Sequence, residues 1–157
     1  MCATWRILKD IYKIMESKSS AKDVSFDEIT IGDADSFEVR ITLELISQFA
    51  ALCGDYNPLH MDVAYAATTK FKKPVAHGML FASFLSRFVG MYLPGKHALY
   101  LSQSLNFKNP VFAGDTLRVQ GRVIEKSEST KVITIATKIY KTTGELILDG
   151  EARVFCI

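Results

Sequence analysis

The stretch "CGDYNPLHMD", residues 53–62, sets an acid, Asp55, and an imidazole, His60, five positions apart with Asn57 and Pro58 between them. An ionised carboxylate accepts hydrogen bonds, and a neutral imidazole both accepts and donates. Two such groups can hold one water and pass protons in either direction. Histidine has a reference pKa of about 6.5, which suits His60 to general acid–base work at neutral pH. Desolvation raises a buried carboxyl and gives Asp55 a route to useful acidity. Asn57 adds a neutral donor and acceptor to orient the other two. A spacing of five is off-register for one helical face, so the chain must fold between Asp55 and His60 if they are to meet. Asp, Asn and Pro also build ordinary turns, and alone the stretch reads as a helix exit.

A second stretch, "VAHGML" at 75–80, puts Gly78 at the head of a long apolar run. Backbone N–H groups at a helix N-terminus lack intrahelical partners, and the dipole there favours negative charge. That suits an enolate oxygen developing on a thioester carbonyl. A glycine also lets substrate approach closely. An acid–base turn together with a glycine that opens a buried helix is harder to dismiss than either alone.

These residues need elements to position them. Thr42 can cap a helix over 43–53, with Glu44 in its first turn and Leu45, Ile46, Phe49, Ala50 and Cys53 as its buried stripe. Gly54 sits where a helix end wants a left-handed residue. Pro58 keeps Asn57 out of the helical region, so the helix stops just before Asp55. Asp62 can cap a short helix over 63–68. Residues 78–91 are apolar almost all round, with small residues at Gly78, Ala82, Ser83, Ser86 and Gly90, which predicts one helix buried on nearly every side. Strands are expected at 98–107, 115–125, 131–141 and 145–156, and two extended pieces over 24–41 around "IGDADS". Residues 1–16 have helical apolar spacing and 17–23 are polar. The reading is an N-terminal extension, 1–23, and a single α+β domain, 24–157, whose antiparallel sheet curls around the long helix.

Composition narrows the classes. The chain has 157 residues, 48% hydrophobic and 23% charged, enough for one domain with a real core. A net charge of +2, with scattered Lys and Arg, gives no footprint for nucleic acid. No apolar run approaches the ~18 residues of a membrane span. Cys2, Cys53 and Cys156 form no C-x-x-C, which fits free thiols in a reducing compartment. His60, His77 and His97 lack metal-ligand spacing, and the nucleotide-binding glycine motifs and G-x-S-x-G are missing. Cytoplasm is the default location. Arg6, Lys9 and Lys13 would fit a mitochondrial presequence in a eukaryote, against Asp10 and Glu16.

"GDYNPLH" followed by "FKKPVAHGML" resembles the hydratase-2 motif of the MaoC-like dehydratase family, above all its short bacterial (R)-specific enoyl-CoA hydratases. The likeness runs from about residue 26 to the C-terminus and includes "LPGK" and "YLSQSLNFKNPVFAGD". It implies a hot-dog fold assembled as a homodimer whose sheets join. It implies reversible syn hydration of trans-2-enoyl-CoA to (R)-3-hydroxyacyl-CoA, with no cofactor and no metal because water is the only co-substrate. Asp55 and His60 match the catalytic pair, Asn57 the motif's Asn, Gly78 the backbone donor to the thioester oxygen, and Ser86 a serine near the site. Residues 61–76 match a segment that overhangs the acyl pocket. Lys70, Lys72, Lys73, Lys96 and Lys108 form a basic rim suited to CoA phosphates or to an acidic acyl carrier protein, or simply a solvated face. A 3-hydroxyacyl-ACP dehydratase is therefore the alternative. A hot-dog thioesterase is less favoured, because 78–91 holds no Asp or Glu to act from the central helix. A non-catalytic acyl-CoA-binding subunit is disfavoured by the intact Asp55, Asn57 and His60.

Overall fold

Alternation along the second half of the chain builds the sheet. In the computed structural model, which describes residues 20–157, β4 (Thr116–Ser127) turns Leu117, Val119 and Val123 inward. In β5 (Val132–Lys141), Ile133, Ile135 and Ile139 do the same. With β1 (Ala34–Arg40), β2 (Ala98–Gln103), β3 (Asn106–Phe107) and β6 (Leu146–Cys156) they form one sheet in the order β1-β4-β5-β6-β2, with β3 also on β6. Every pairing is antiparallel. The expected strand 98–107 is two pieces along the same edge of β6, broken at Ser104 and Leu105, where the backbone presses against Gly150. Gly150 permits this, since a Cβ there would lie 1.8 Å from the Ser104 carbonyl oxygen. The first of the two expected extended pieces is a 3-10 turn, Phe26–Glu28, held by Ser25 and Glu28 in a capping box.

Five short helices carry the rest: α1 (Leu43–Cys53), α2 (Pro58–Met61), α3 (Val63–Thr68), α4 (Gly78–Ala82) and α5 (Phe84–Met91). The caps of α1 and α3 are as the sequence predicts. Thr42 Oγ1 accepts from Leu45 N at 3.1 Å, and Asp62 Oδ1 accepts from Tyr65 N at 3.0 Å. Of the expected α1 stripe, Ile46 and Ala50 are buried and Leu45 and Phe49 partly so, but Cys53 is exposed because α1 ends above solvent.

The run 78–91 is α4 and α5 in series. Ser83 keeps helical dihedrals (φ −60, ψ −23), but its Oγ donates to the Leu80 carbonyl at 2.6 Å, the acceptor that Phe84 N–H would use in an unbroken helix. Leu80, Phe81, Leu85, Phe88 and Val89 are buried against the sheet. A Cβ on Gly121 would lie 2.5 Å from the Phe88 ring, so glycine there lets α5 settle onto β4. The run is not buried all round, as its composition suggested. Met79, Ser83, Ser86 and Arg87 are exposed, because the sheet covers one side only.

The expected helix at 1–16 lies outside the described residues. Lys22 N donates to Met91 O at 3.0 Å, and Lys22 O accepts from Lys96 N at 2.9 Å, so the fold takes in residues that the sequence reading placed in the extension. Among the described residues, no helix is long and apolar enough to cross a membrane.

Candidate active site

The chain between Asp55 and His60 is folded by its own side chains. Helix α1 ends on Gly54 at φ 78. Asp55 Oδ1 then accepts from Asn57 N at 3.2 Å, and Asn57 Oδ1 accepts from Leu59 N at 2.9 Å. Pro58 takes the first helical position of α2, where its missing N–H is no loss. This single turn of helix, which the sequence reading lacked, swings His60 back toward Asp55. Asn57 thus acts as the N-cap that builds the turn.

Residues 75–77 run alongside that turn and lock it. Val75 N donates to Leu59 O at 3.2 Å, and Ala76 N ties the segment to Val111 O at 2.7 Å. His60 Nδ1 lies 2.6 Å from the Val75 carbonyl oxygen, which can only accept, so Nδ1 carries the proton and Nε2 keeps the lone pair. His77 Nε2 lies 2.9 Å from the Asp55 carbonyl oxygen and donates to it in the same way.

Side-chain ligand atoms of Asp55, His60 and His77 all fall within 4.8 Å of one another. Two atoms that each bond a shared water at about 2.8 Å and a tetrahedral angle stand about 4.6 Å apart, so Asp55 and His60 are spaced to hold one water. A divalent ion would find less. One nitrogen of each histidine is turned to a backbone carbonyl, and the other nitrogen of His77 is sealed from solvent without a partner. The Asp55 side chain is 50% exposed, so it is not the buried carboxyl that the sequence reading allowed for.

Gly78 opens α4 beside His60. A Cβ there would lie 3.0 Å from Cε1 of Phe107. His60 and Gly78 share the wall of a cavity of about 340 Å³ with Phe71, Phe107, Lys70 and Lys108. A second cavity, about 410 Å³ and mostly apolar, lies on the other side of Met79, between Phe49, Leu85, Ser86 and Tyr100. Ser86 therefore borders this second space and not the His60 cavity. At its floor Tyr100 donates to Gln103 Oε1 at 2.6 Å, and Gln103 Nε2 donates to the buried Thr137 Oγ1 at 3.0 Å. Burial pushes the Tyr100 phenol up to about 12.

The lysines divide. Lys70 and Lys108 line the His60 cavity, and Lys108 Nζ lies 3.5 Å from Asp149 Oδ2. Lys73 Nζ rests 4.2 Å from the centre of the Phe112 ring. Lys72, at φ 63 in the turn after α3, borders neither cavity. Lys96 pairs with Asp23 at 2.8 Å near the N-terminal segment. The residue that sequence reasoning missed is His77. Its only signal was its place next to Gly78 among apolar neighbours, which equally describes a residue at a helix start.

The chain is similar to known proteins over most of its length. The family model for the MaoC like domain matches residues 28–145. The chain is 42% identical over 131 residues to an (R)-specific enoyl-CoA hydratase of Aeromonas caviae, covering 83% of this chain and 98% of that protein. It is 37% identical over 119 residues to the mitochondrial 3-hydroxyacyl-[acyl-carrier-protein] dehydratase of Arabidopsis thaliana, covering 73% and 70%. Among solved structures, the A. caviae (R)-hydratase involved in PHA biosynthesis superposes with a TM-score of 0.79, covering 82% of this chain and 98% of that one. An unliganded R-hydratase of Pseudomonas aeruginosa, 37% identical, superposes at 0.83 and covers 88% of each chain.

Proposed function

The chain belongs to the MaoC-like dehydratase family, and from that premise we propose that it is an (R)-specific enoyl-CoA hydratase. The observation that carries this reading is the placement of an Asp55 oxygen and a His60 nitrogen within 4.8 Å, with His60 on the wall of a cavity that Gly78 also lines. The water between them gives a proton to His60 Nε2 and keeps a second hydrogen bond to Asp55. Its oxygen bonds to C3 of a trans-2-enoyl thioester. The negative charge that reaches the thioester oxygen is stabilised by the Gly78 N–H, and C2 takes, from the Asp55–His60 side, the proton that the water released, which returns His60 to its neutral form. Addition is therefore syn, and the product is the (R)-3-hydroxyacyl thioester. The run backwards is dehydration. The chemistry asks for no cofactor and no metal.

In this reading the acyl chain lies in the apolar cavity past Met79. The carrier leaves past Lys70 and Lys108, whose charges suit phosphate. Lys72 and Lys73 contribute to the field outside it. A homodimer covers the exposed edge strand β2, and the protein works in the cytoplasm, or in the mitochondrial matrix if residues 1–16 act as a presequence. The second reading keeps the chemistry and changes the carrier. The identity to the plant acyl-carrier-protein dehydratase favours it, and relative kcat/KM on crotonyl-CoA and crotonyl-ACP decides between them.

The test is a steady-state assay with crotonyl-CoA, read as loss of the conjugated enoyl-thioester absorbance. Activity should survive EDTA, release no thiol, and give a product that an (S)-specific 3-hydroxyacyl-CoA dehydrogenase leaves unoxidised. Thiol release would mean a thioesterase, and rapid oxidation would mean the opposite face of addition.

A further inference from the structure

One residue that lines neither cavity touches every part of the site. His77 is 2% exposed. Its Nε2–H donates to the main-chain carbonyl of Asp55 at 2.9 Å. Its ring lies 4.0 Å, centre to centre, from the His60 ring at an interplanar angle of 33°, and 5.3 Å from Phe49. Its own backbone leads straight into Gly78, and its carbonyl accepts from Leu80 N at 3.1 Å to start α4.

We propose that His77 is a positioning residue that registers Asp55, His60 and the Gly78 N–H against one another. The proposal rests on the reading of Asp55 and His60 as the water-holding pair, and adds to it a residue that never meets substrate. His77 cannot be a catalytic acid or base here. Its one donor is committed to the Asp55 carbonyl, and its Nδ1 is buried with no hydrogen-bond partner. That orphan acceptor is informative. A buried polar atom without a partner is costly, so the imidazole is not kept for Nδ1. It is kept for a donor at one corner and a flat face at the other. The donor fixes where the chain leaves α1 and hence where the Asp55 side chain starts. The face backs the His60 ring, whose Nδ1 is already anchored to Val75. With both restraints His60 Nε2 and the Asp55 carboxylate point at one water. Without them the turn is held by the side-chain caps within 55–59 and by the bonds of Leu59 and His60 to Val75.

Two variants separate the donor from the ring. His77→Phe keeps a flat ring and loses the donor, whereas His77→Gln keeps an amide donor and loses the ring. The chemistry needs positions held within fractions of an ångström, and a misplacement of about 1 Å costs roughly 10²-fold. His77→Phe should therefore lower kcat on crotonyl-CoA by about 10- to 100-fold with KM within about threefold of wild type and an unchanged melting temperature. His77→Gln should recover most of that loss. ¹⁵N–¹H NMR of the wild-type protein at pH 8 should show His77 as the Nε2–H tautomer and His60 as the Nδ1–H tautomer. In His77→Phe, His60 should lose its single tautomer. A His77→Phe enzyme with kcat within twofold of wild type overturns the proposal. So does a loss of activity in both variants that only follows the folded fraction by circular dichroism. The Nδ1–H tautomer at His77 in the wild type overturns it whether or not the variants fold. Failure of the underlying reading looks different: wild-type protein with the expected tautomers and no hydratase activity.

Discussion

The Nδ1–H of His60 donates to the carbonyl oxygen of Val75 at 2.6 Å, and that bond leaves Nε2 as the nitrogen with the lone pair. A base so oriented needs no tautomer change before it takes a proton. His60→Gln and Asp55→Asn should each lower kcat by about 10²–10⁴-fold while the far-ultraviolet circular dichroism is unchanged. Near wild-type kcat in either folded variant would remove that residue from the mechanism.

Asn57 Oδ1 caps Leu59 N at 2.9 Å on an exposed turn. Asn57→Ala loses that cap, which costs about 1 kcal/mol, or roughly 2–4 °C of melting temperature for a domain of this size. Asn57→Asp keeps an acceptor at the same place and should restore the melting temperature. If Asn57→Ala melts like wild type but loses activity, Asn57 acts on substrate and not on the turn.

Thr42, Gly54 and Asp62 were legible because each acts on a residue within four positions of itself, and caps are local chemistry. The sheet was legible in β4, β5 and β6, where one face is buried and alternation must follow. What failed needed distant atoms. The split of 98–107 depends on Gly150, 46 positions beyond Ser104, where the two backbone segments press together. The open side of 78–91 depends on how much of the helix the sheet can cover, which composition does not state. Asp55 and His60 were found as a pair by type and spacing, but the α2 turn that joins them was missed, because Asn-Pro reads as a break before it reads as a helix start. His77 went unseen as a site residue because its partners, Asp55 and His60, lie 22 and 17 positions earlier in the chain.

Tyr100 gives a pH dependence with a definite sign. Its phenol ionises at about 12 in the fold, against about 10 in an unfolded chain. Below pH 10 both states hold the proton and nothing is lost. Between about 10 and 12 the unfolded chain releases it and the folded one does not, so stability falls as pH rises. Urea midpoints across pH 9–12 should fall less steeply for Tyr100→Phe than for wild type. Parallel curves would show that Tyr100 ionises as freely in the fold as outside it.

Edge strand β2 carries Leu99 and Leu101, each 50% exposed, beside a row of backbone groups that no strand among the described residues pairs. Exposed apolar edges invite pairing, and a two-fold axis alongside β2 would satisfy both copies at once. Light scattering at micromolar concentration should give twice the 17.5 kDa of the chain. Leu101→Lys should shift the mass toward one copy. A monomeric wild type would refute the assembly.

The role given to the Gly78 N–H can be tested without touching a side chain. Gly78 holds the first position of α4, where proline's missing N–H costs the helix nothing. His77 before it sits at φ −56 and ψ 132, the extended conformation that a following proline demands. Gly78→Pro therefore deletes one N–H and adds ring carbons. The added Cβ meets Phe107 at 3.0 Å, tight but against a half-exposed ring that can give way. Gly78→Ala adds the same Cβ and keeps the N–H, so it measures the steric part alone. If that N–H holds the thioester oxygen as charge develops, Gly78→Ala should stay within about tenfold of wild type. Gly78→Pro should then lose a further 10²–10³-fold or so in kcat. Equal kcat in the two variants, both folded by circular dichroism, would mean that some other group stabilises the enolate.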